Sequence, residues 1–323
     1  MSHPSARIRR MGHQPTRTLA EFAAQRHGLF LVADALSAGF TYSQIRQRRA
    51  RGEWLSEYET VLRFAGTPDT HESRVLAVCL AAGSRAFVSH RTATWLYGCP
   101  GGSATLIEIS CPRWRRSRCE GIRVHETKAL TDADVTIIAG IPVTTIERTL
   151  LDLGAVRGLR TVELALENAL RRELTTLEAL DRAISRLACS GRPGVRILRT
   201  LVQARLATPT VPTGSERETV LIQLIRDAGL PDPTRQFKVC DGSEFIGRVD
   251  LSYPDARITI EYDSDEFHTG FVATAADSTR RHRLIQAHWL PITAVNSDLA
   301  NGGRHFIGAL RVALRDRPTI LAS

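Results

Sequence analysis

The sequence predicts a multidomain α+β protein, and three observations support this prediction. The chain has 323 residues, enough for two or three domains that each bury a core. Near the N-terminus, three short helical patterns precede a pair of strands, the order expected of a winged helix-turn-helix. After a middle α/β and helical region, the order strand, hairpin, helix, strand and helix predicts a mixed α/β fold at the C-terminus.

The composition indicates a protein with a polyanionic partner. Lys and Arg number 43 against 34 Asp and Glu, a formal net charge of +9 that favours contact with nucleic acid phosphates. No run approaches the roughly twenty apolar residues of a membrane span, and the start lacks the apolar core of a signal peptide. The six cysteines contain no Cys-x-x-Cys pair, which favours reduced structural thiols. We therefore expect a cytoplasmic protein without a membrane partner.

The N-terminal region is predicted to bind DNA through a basic helix. Residues 1–17 form a basic arm, and residues 18–66 form the winged helix-turn-helix. Its third helix runs from Tyr42 to Arg51, with Thr41 or Ser43 as the cap. An exposed basic helix face without a nucleic acid role is the alternative. The predicted DNA contacts are the arginines of this helix: Arg46, Arg48, Arg49 and Arg51.

This region resembles the N-terminal domain of AbiEi-type antitoxins, regulators that bind their own operators. The matching residues are His27-Gly28, Ala38-Gly39-Phe40, Ile45 and Arg51-Gly52. Residues 67–158 continue the resemblance as a mixed α/β domain, through the stretch from Gly140 to Leu153. Family members usually have Gly-Val-Tyr in the wing, where this chain has Thr60-Val61-Leu62. The resemblance implies double-stranded DNA as partner and allows a homodimer and a cognate toxin.

The middle of the chain contains no predicted catalytic or metal-binding residues. Residues 106–109 and 122–125 are predicted strands, and the basic stretch 114–118 between them is either a backbone clamp or an exposed hairpin tip. Arg148 and Asp152, four residues apart, are predicted to form a structural pair. Residues 159–207 are predicted as a helical connector with a buried leucine-rich stripe, and residues 208–214 as a linker.

Acidic residues lie on or at the end of two adjoining predicted strands in the C-terminal third. The first strand carries Asp250, and the second, after a turn at 253–255, runs from Ile258 to Tyr262. Because side chains alternate along a strand, Glu261 and Asp263 share one face, which Asp250 can also reach. Carboxylates crowded in this way repel one another unless a divalent cation lies between them. The sequence therefore predicts a site for Mg²⁺ or Mn²⁺ formed by Asp250, Glu261 and Asp263.

Residues 215–317 resemble the Vsr-like (very-short-patch-repair-like) endonuclease domain of the PD-(D/E)XK superfamily. The pattern is Arg248-Val-Asp250, Pro254, Glu261-Tyr-Asp263, His268, Asp277-Ser-Thr-Arg280, Leu284 and Trp289, with Ser215 to Glu218 upstream. The resemblance implies a metal-dependent endonuclease or nickase that hydrolyses DNA phosphodiester bonds. Asp250 would be the central ligand, with Glu261 and Asp263 at the second acidic motif. His268 would be a ligand or proton-transfer group, and Glu218 would come from the first helix.

The chain departs from the Vsr-like pattern in four places. Asp263 stands where other members of the superfamily have a lysine, which leaves the general base unassigned. Ser264 and His288 stand where these domains usually have Gly, and Thr293 where a strand Arg is common. The alternative function is a non-catalytic antitoxin-type regulator whose nuclease-like domain is degenerate.

Two of the predicted site residues have competing roles. Glu218 is either a metal-site acid or the last residue of a Ser-x-x-Glu capping box that begins at Ser215. Arg280 either binds phosphate or pairs with Asp277, which lies three residues before it on the same predicted helix.

Overall fold

The computed structural model describes residues 14–112, 121–127, 130–188, 194–207, 213–263, 271–300 and 302–317. Within these ranges, side chains are described for all residues except 14, 15, 263, 271–277, 297 and 300. The chain divides into two units, and the boundary between them in the sequence lies between Val156 and Arg157. Both units are mixed α/β, and the described residues form three β-sheets. The predicted α+β, multidomain class is therefore correct at this level.

The first unit begins with short helices around a small antiparallel sheet. The elements are α1 (Gln14–Ala24), β1 (Leu29–Leu31), α2 (Val32–Ser37), α3 (Tyr42–Ala50), β2 (Trp54–Ser56) and β3 (Val61–Phe64), with strand order β1-β3-β2. Trp54 of β2 is buried in the apolar core of these elements. Its ring contacts the rings of Phe30 and Phe40 edge-on, at centroid distances of 5.0 and 5.1 Å. Thr41 caps α3 by accepting the Gln44 N–H at 3.2 Å, which confirms one of the two predicted caps.

A five-stranded mixed sheet completes the first unit. Its elements are α4 (His71–Ala82), β4 (Phe87–Val88), α5 (His90–Leu96), β5 (Ile107–Cys111), β6 (Ile122–Glu126), β7 (Val135–Ile138), β8 (Ile141–Thr144) and α6 (Ile146–Val156). The strand order is β6-β5-β4-β8-β7. The predicted pair of Arg148 and Asp152 is confirmed by a buried contact of 2.9 Å. Cys79, Cys99 and Cys111 are buried free thiols, as expected.

One expectation for this sheet is wrong. β5 and β6 pair in parallel, from Ile107 with Ile122 to Cys111 with Glu126. Two neighbouring strands that run in the same direction cannot be joined by a tight hairpin, because the chain must cross back along the full length of the strand. The hairpin-tip interpretation of the basic stretch therefore fails, although residues 113–120 themselves lie outside the described part of the chain.

The second unit begins with three helices that fold together with the sheet. These are α7 (Leu159–Arg171), α8 (Leu177–Leu187) and α9 (Val195–Ala207), followed by α10 (Glu216–Asp227). Glu167 on α7 is 1% exposed and contacts Arg205 of α9 as well as Arg235 at 3.2 Å. Glu163 contacts Arg226 of α10 at 2.6 Å. Ion pairs of two buried glutamates therefore attach the predicted connector helices to the elements that follow them.

A four-stranded sheet carries the predicted acidic residues. The elements are β9 (Thr234–Asp241), β10 (Glu244–Tyr253), β11 (Ile258–Asp263), α11 (Phe271–Gln286), β12 (Leu290–Val295), α12 (Asn296–Ala300) and α13 (Arg304–Asp316). The strand order is β12-β11-β10-β9; β11 and β12 are parallel, and the other pairs are antiparallel. Leu251, Ile258 and Ile260 pack into a core with α10 and α13. Ile258 and Ile260 therefore give β11 a buried apolar face.

Helix α11 ends in a left-handed residue that is not glycine. His288 has φ of +64°, and the following Trp289 N–H donates to the Leu284 carbonyl at 2.8 Å. This closure is common at helix ends, and glycine is the residue that adopts it at least cost. The histidine that replaces the usual glycine therefore adopts the glycine conformation.

We expect His288→Gly to stabilise the protein. Relief of the left-handed strain should raise the free energy of unfolding by about 1 kcal/mol. The same change at the exposed His282, inside α11, provides a control of opposite sign, because glycine within a helix is less favourable than histidine by roughly 0.3–0.5 kcal/mol. Chemical denaturation of both variants measures the two changes. A destabilised His288→Gly would show that the histidine side chain makes a contact worth more than the strain.

Candidate functional site

The predicted DNA-contacting arginines of the first unit occupy two kinds of position. Arg46 and Arg49 are exposed on α3. Arg48 instead lies over the rings of Phe40 and Trp54, at 5.2 and 5.3 Å from their centroids.

Glu53 holds two of these arginines close to the body of the unit. Its carboxylate contacts the Arg48 guanidinium at 2.6 Å and lies 3.8 Å from that of Arg51. Arg46 and Arg49 are thus the members of the predicted set that present their charge to solvent without such a contact among the described residues.

Asp250 lies at the centre of the acidic site in the second unit. It is on β10, and its Oδ2 accepts the backbone N–H of Tyr262 at 3.2 Å. This hydrogen bond holds the carboxylate against β11, beside the residue that follows Glu261. Two of the predicted acids are therefore held on neighbouring strands at this point. Among the described residues, Arg248 forms no ion pair with Asp250.

Glu218 reaches the same site from the first turn of α10. It is 4% exposed, and its Oε2 accepts the Gly214 N–H at 2.8 Å and the Gln236 side-chain N–H at 3.0 Å. Ser215 Oγ accepts the Glu218 N–H at 3.2 Å, as expected of a helix cap. Burial raises the pKa of Glu218, and the negative charge of Asp250 raises it further. Ser215 therefore caps the helix, whereas the Glu218 carboxylate accepts the Gly214 N–H in place of the Ser215 N–H that a capping box requires, and its charge interacts with that of Asp250.

Arg280 on α11 contacts the second acidic motif. Its Nη2 lies 2.8 Å from Glu261 Oε1. The stem of Arg280 crosses the backbone of β10 at Gly247, where an added Cβ would lie 3.1 Å from its Cδ. Glycine at this position thus allows the arginine to reach Glu261. A contact with the motif acid is a third arrangement besides the two expected for Arg280.

The remaining predicted ligands lie at the edge of the described chain. Asp263 ends β11 and pairs with Val295 through the backbone, while its side chain and the whole of His268 lie outside the described residues. The same holds for the Asp277 side chain. Among the side chains that are described, no three from His, Cys, Asp and Glu converge closely enough to hold one metal ion.

The site also contains a residue that sequence reasoning missed. Gln236 lies on β9 with φ of +48°, and its side chain donates to Glu218. A glutamine within a predicted strand carries no visible signal, because its importance comes from an unusual backbone conformation and a partner eighteen residues away. A backbone outlier beside an acid pair is typical of functional sites.

Comparisons with known proteins add relatives but no activity. No model of a known protein family matches the chain. Two uncharacterized proteins of Mycobacterium tuberculosis are similar to it, one from strain CDC 1551 / Oshkosh and one from strain ATCC 25618 / H37Rv. Each is 28% identical over 229 residues, which cover 70% of this chain and 80% of the relative. Among the described helices, none is both long and apolar enough to cross a bilayer.

Proposed function

We propose that this protein is a DNA-binding, metal-dependent endonuclease or nickase. The observation that carries the proposal is the buried Glu218, whose pKa the negative charge of Asp250 raises, together with the hydrogen bond that ties Asp250 to the strand carrying Glu261. A buried carboxylate with a raised pKa beside a second carboxylate is costly for folding alone. Such an arrangement is retained where a cation or a reacting group uses the charge.

The donor set fits a hard divalent cation. Glu218 and Asp250 offer carboxylate oxygens, the ligands that Mg²⁺ and Mn²⁺ prefer, and Glu261 lies on the adjoining strand. An ion bound there would activate water and neutralise charge on the scissile phosphate. The chain itself contributes the backbone N–H of Tyr262, which orients Asp250, and Gln236, which orients Glu218. Arg280, held beside Glu261, can support the charge of a phosphate.

The first unit supports DNA as the substrate. Its order of three helices and a β-hairpin agrees with the winged helix-turn-helix that the sequence predicts, and Arg46 and Arg49 project from the third helix. In this proposal the first unit binds the duplex, and the second unit hydrolyses a phosphodiester bond.

The experiment is cleavage of supercoiled plasmid by the purified full-length protein. We expect nicking or linearisation in Mg²⁺ or Mn²⁺, and none in EDTA. Asp250→Asn, which keeps an acceptor for the Tyr262 N–H, should lower cleavage to the metal-free background. The combined change Asp250→Ala and Glu261→Ala should do the same.

Asp255→Ala is the matched control. This aspartate is exposed in the turn between β10 and β11, so its loss should leave cleavage unchanged. Equal cleavage by wild type and by folded Asp250→Asn would contradict the catalytic proposal.

A second candidate function is the non-catalytic antitoxin-type regulator. The contact between Arg280 and Glu261 favours it, because a cation of the chain itself already neutralises one acid of the motif. This function requires specific operator binding in EDTA, and the combined change Arg46→Ala and Arg49→Ala should weaken it. Weak binding to every sequence that disappears at moderate salt would argue against a regulator.

A further inference from the structure

Two cations face each other across the β9–β10 hairpin. Lys238 and Arg248 are direct partners in the antiparallel register, and both are exposed. Side chains of directly opposed residues point to the same face and lie close together, so like charges there repel. Neither cation forms an ion pair with an acid among the residues that the structure describes. The fold thus maintains an unfavourable arrangement of positive charge at this place.

The pair adjoins the acidic site. Arg248 lies two residues before Asp250 on the same strand, a spacing that puts the two side chains on one face. The guanidinium of Arg280, which contacts Glu261, also lies 3.5 Å from the Arg248 carbonyl oxygen. Positive side chains therefore lie next to the two acids on this part of the hairpin, whereas the paired residues at its tip, Asp241 and Glu244, are acidic.

We infer that Lys238 and Arg248 bind the phosphodiester backbone of double-stranded DNA next to the position at which it is cut. A polyanion between the two cations converts their mutual repulsion into attraction, which accounts for an arrangement that folding alone disfavours. Phosphate contacts of this kind set the register of a protein on DNA and carry no sequence information. The inference rests on the proposed nuclease function, because it assigns these residues to the same substrate.

The test is the salt dependence of DNA binding by the full chain. A fluorescein-labelled duplex is titrated with protein in EDTA, so that no cleavage occurs, between 50 and 200 mM salt. Each phosphate contact contributes about 0.9 to the slope of log affinity against log salt. We expect the combined change Lys238→Ala and Arg248→Ala to reduce the slope by about 1.8. Over this fourfold range of salt, the wild type should lose affinity about twelvefold more than the variant.

Arg196 and Arg199 on α9 provide the matched control. Their combined replacement by Ala removes the same charge from the same unit and should leave the slope unchanged. Lys238→Glu adds a readout that a structural role would not give. It places opposite charges across the hairpin, so the melting temperature should rise while DNA affinity falls.

The inference is overturned if the Lys238 and Arg248 variant keeps the wild-type slope or matches the α9 control. This result is distinct from a failure of the proposed function. A protein that cuts no plasmid can still show the loss of slope, and a protein that cuts can still lack it.

Discussion

Glu167→Gln is expected to destabilise the second unit by about 3–5 kcal/mol. Glu167 is the carboxylate between two buried guanidiniums, those of Arg205 and Arg235, whose side chains are 9% and 4% exposed. Glutamine keeps the shape and an acceptor oxygen but removes the charge. Both buried guanidiniums would then lose the carboxylate that contacts them, the circumstance in which removal of one partner costs most, although the charges of Glu163 and Asp232 remain nearby.

The pKa of Arg205 shows that the surroundings of its side chain disfavour a positive charge. Burial and, to a smaller extent, the neighbouring positive charge of Arg235 together lower it to about 10. The Glu167 carboxylate, which contacts this guanidinium, and the nearby charges of Glu163 and Asp232 offset part of the desolvation penalty that is already present in the wild type.

Urea unfolding followed by hydrogen exchange measures the Glu167 effect within each unit. We expect earlier exchange in α7, α9 and β9, with no change in the first unit. Asp181→Asn is the control, because this aspartate is exposed on α8 and its replacement should alter stability by less than about 0.5 kcal/mol. A Glu167→Gln protein as stable as the control would show that the guanidiniums reach water when the charge is removed.

A second large effect is expected when the first unit is acidified. His90 is 6% exposed, has φ of +52° and stacks on His125 with ring centroids 3.5 Å apart. Burial lowers the pKa of His90 to about 3, and the positive charges of His125, Arg148 and Arg91 act in the same direction while Glu108 opposes them. His90 is therefore held neutral in the folded state.

The sign of the pH effect follows from this depressed pKa. The unfolded chain takes up the His90 proton near pH 6.5, whereas the folded chain takes it up only near pH 3. Between these values the unfolded state binds more protons, so stability falls as the pH falls. The loss from pH 6.5 to 4.5 should be about 2–3 kcal/mol.

His90→Asn should remove most of this loss. Asparagine tolerates left-handed backbone better than other residues with a side chain, so the local conformation can be kept. His27→Asn, at another left-handed histidine of the same unit, controls for the backbone effect. Stability is measured by chemical denaturation from pH 7.5 to 4.5. A variant with the wild-type pH dependence would assign the acid sensitivity to other groups.

Glu108 also contributes to the pH dependence of stability, and its contribution has to be distinguished from that of His90. Burial alone would raise its pKa, but hydrogen bonds from His125 and Arg91 hold the pKa below its usual value. Its contribution is therefore present above the unfolded value of 4.5 and is lost only below it. Restriction of the measurement to pH 4.5 and above separates the effect of His90 from that of Glu108, and the comparison with His90→Asn separates it from that of His71, whose pKa burial also lowers.

Much of the second unit could be predicted from local pattern. The two strands that carry Asp250 and Glu261, the turn between them and the closing helix α13 were all expected, and the structure has them. Strand alternation and β-branched residues act over a few positions, so a short window of sequence is sufficient to predict them. The strand β9 was expected, but the extension of β10 back to Glu244 was missed, because residues 244–248 lack a clear apolar alternation.

The partners of the charged residues were much harder to predict. Arg280 contacts Glu261, a partner that was not among the two expected for it, phosphate and Asp277. Glu167 contacts Arg205 and Arg235, which lie 38 and 68 positions further along the chain. Sequence spacing limits partners within one helix, but it does not limit which distant side chain meets a given charge. The parallel pairing of β5 and β6 was missed for the same reason, since strand direction depends on the path of the whole chain.

The sequence by itself determined which segments are helices and strands, which of their faces are apolar, and which acids and arginines are available for chemistry. Those properties depend on backbone preference and on periodicity along the chain. Only the tertiary structure decided that Glu218 lies beside Asp250, that Gln236 holds Glu218, and that Lys238 faces Arg248. Such neighbours are set by packing between distant elements, where burial and the need to satisfy every charge select one arrangement from many.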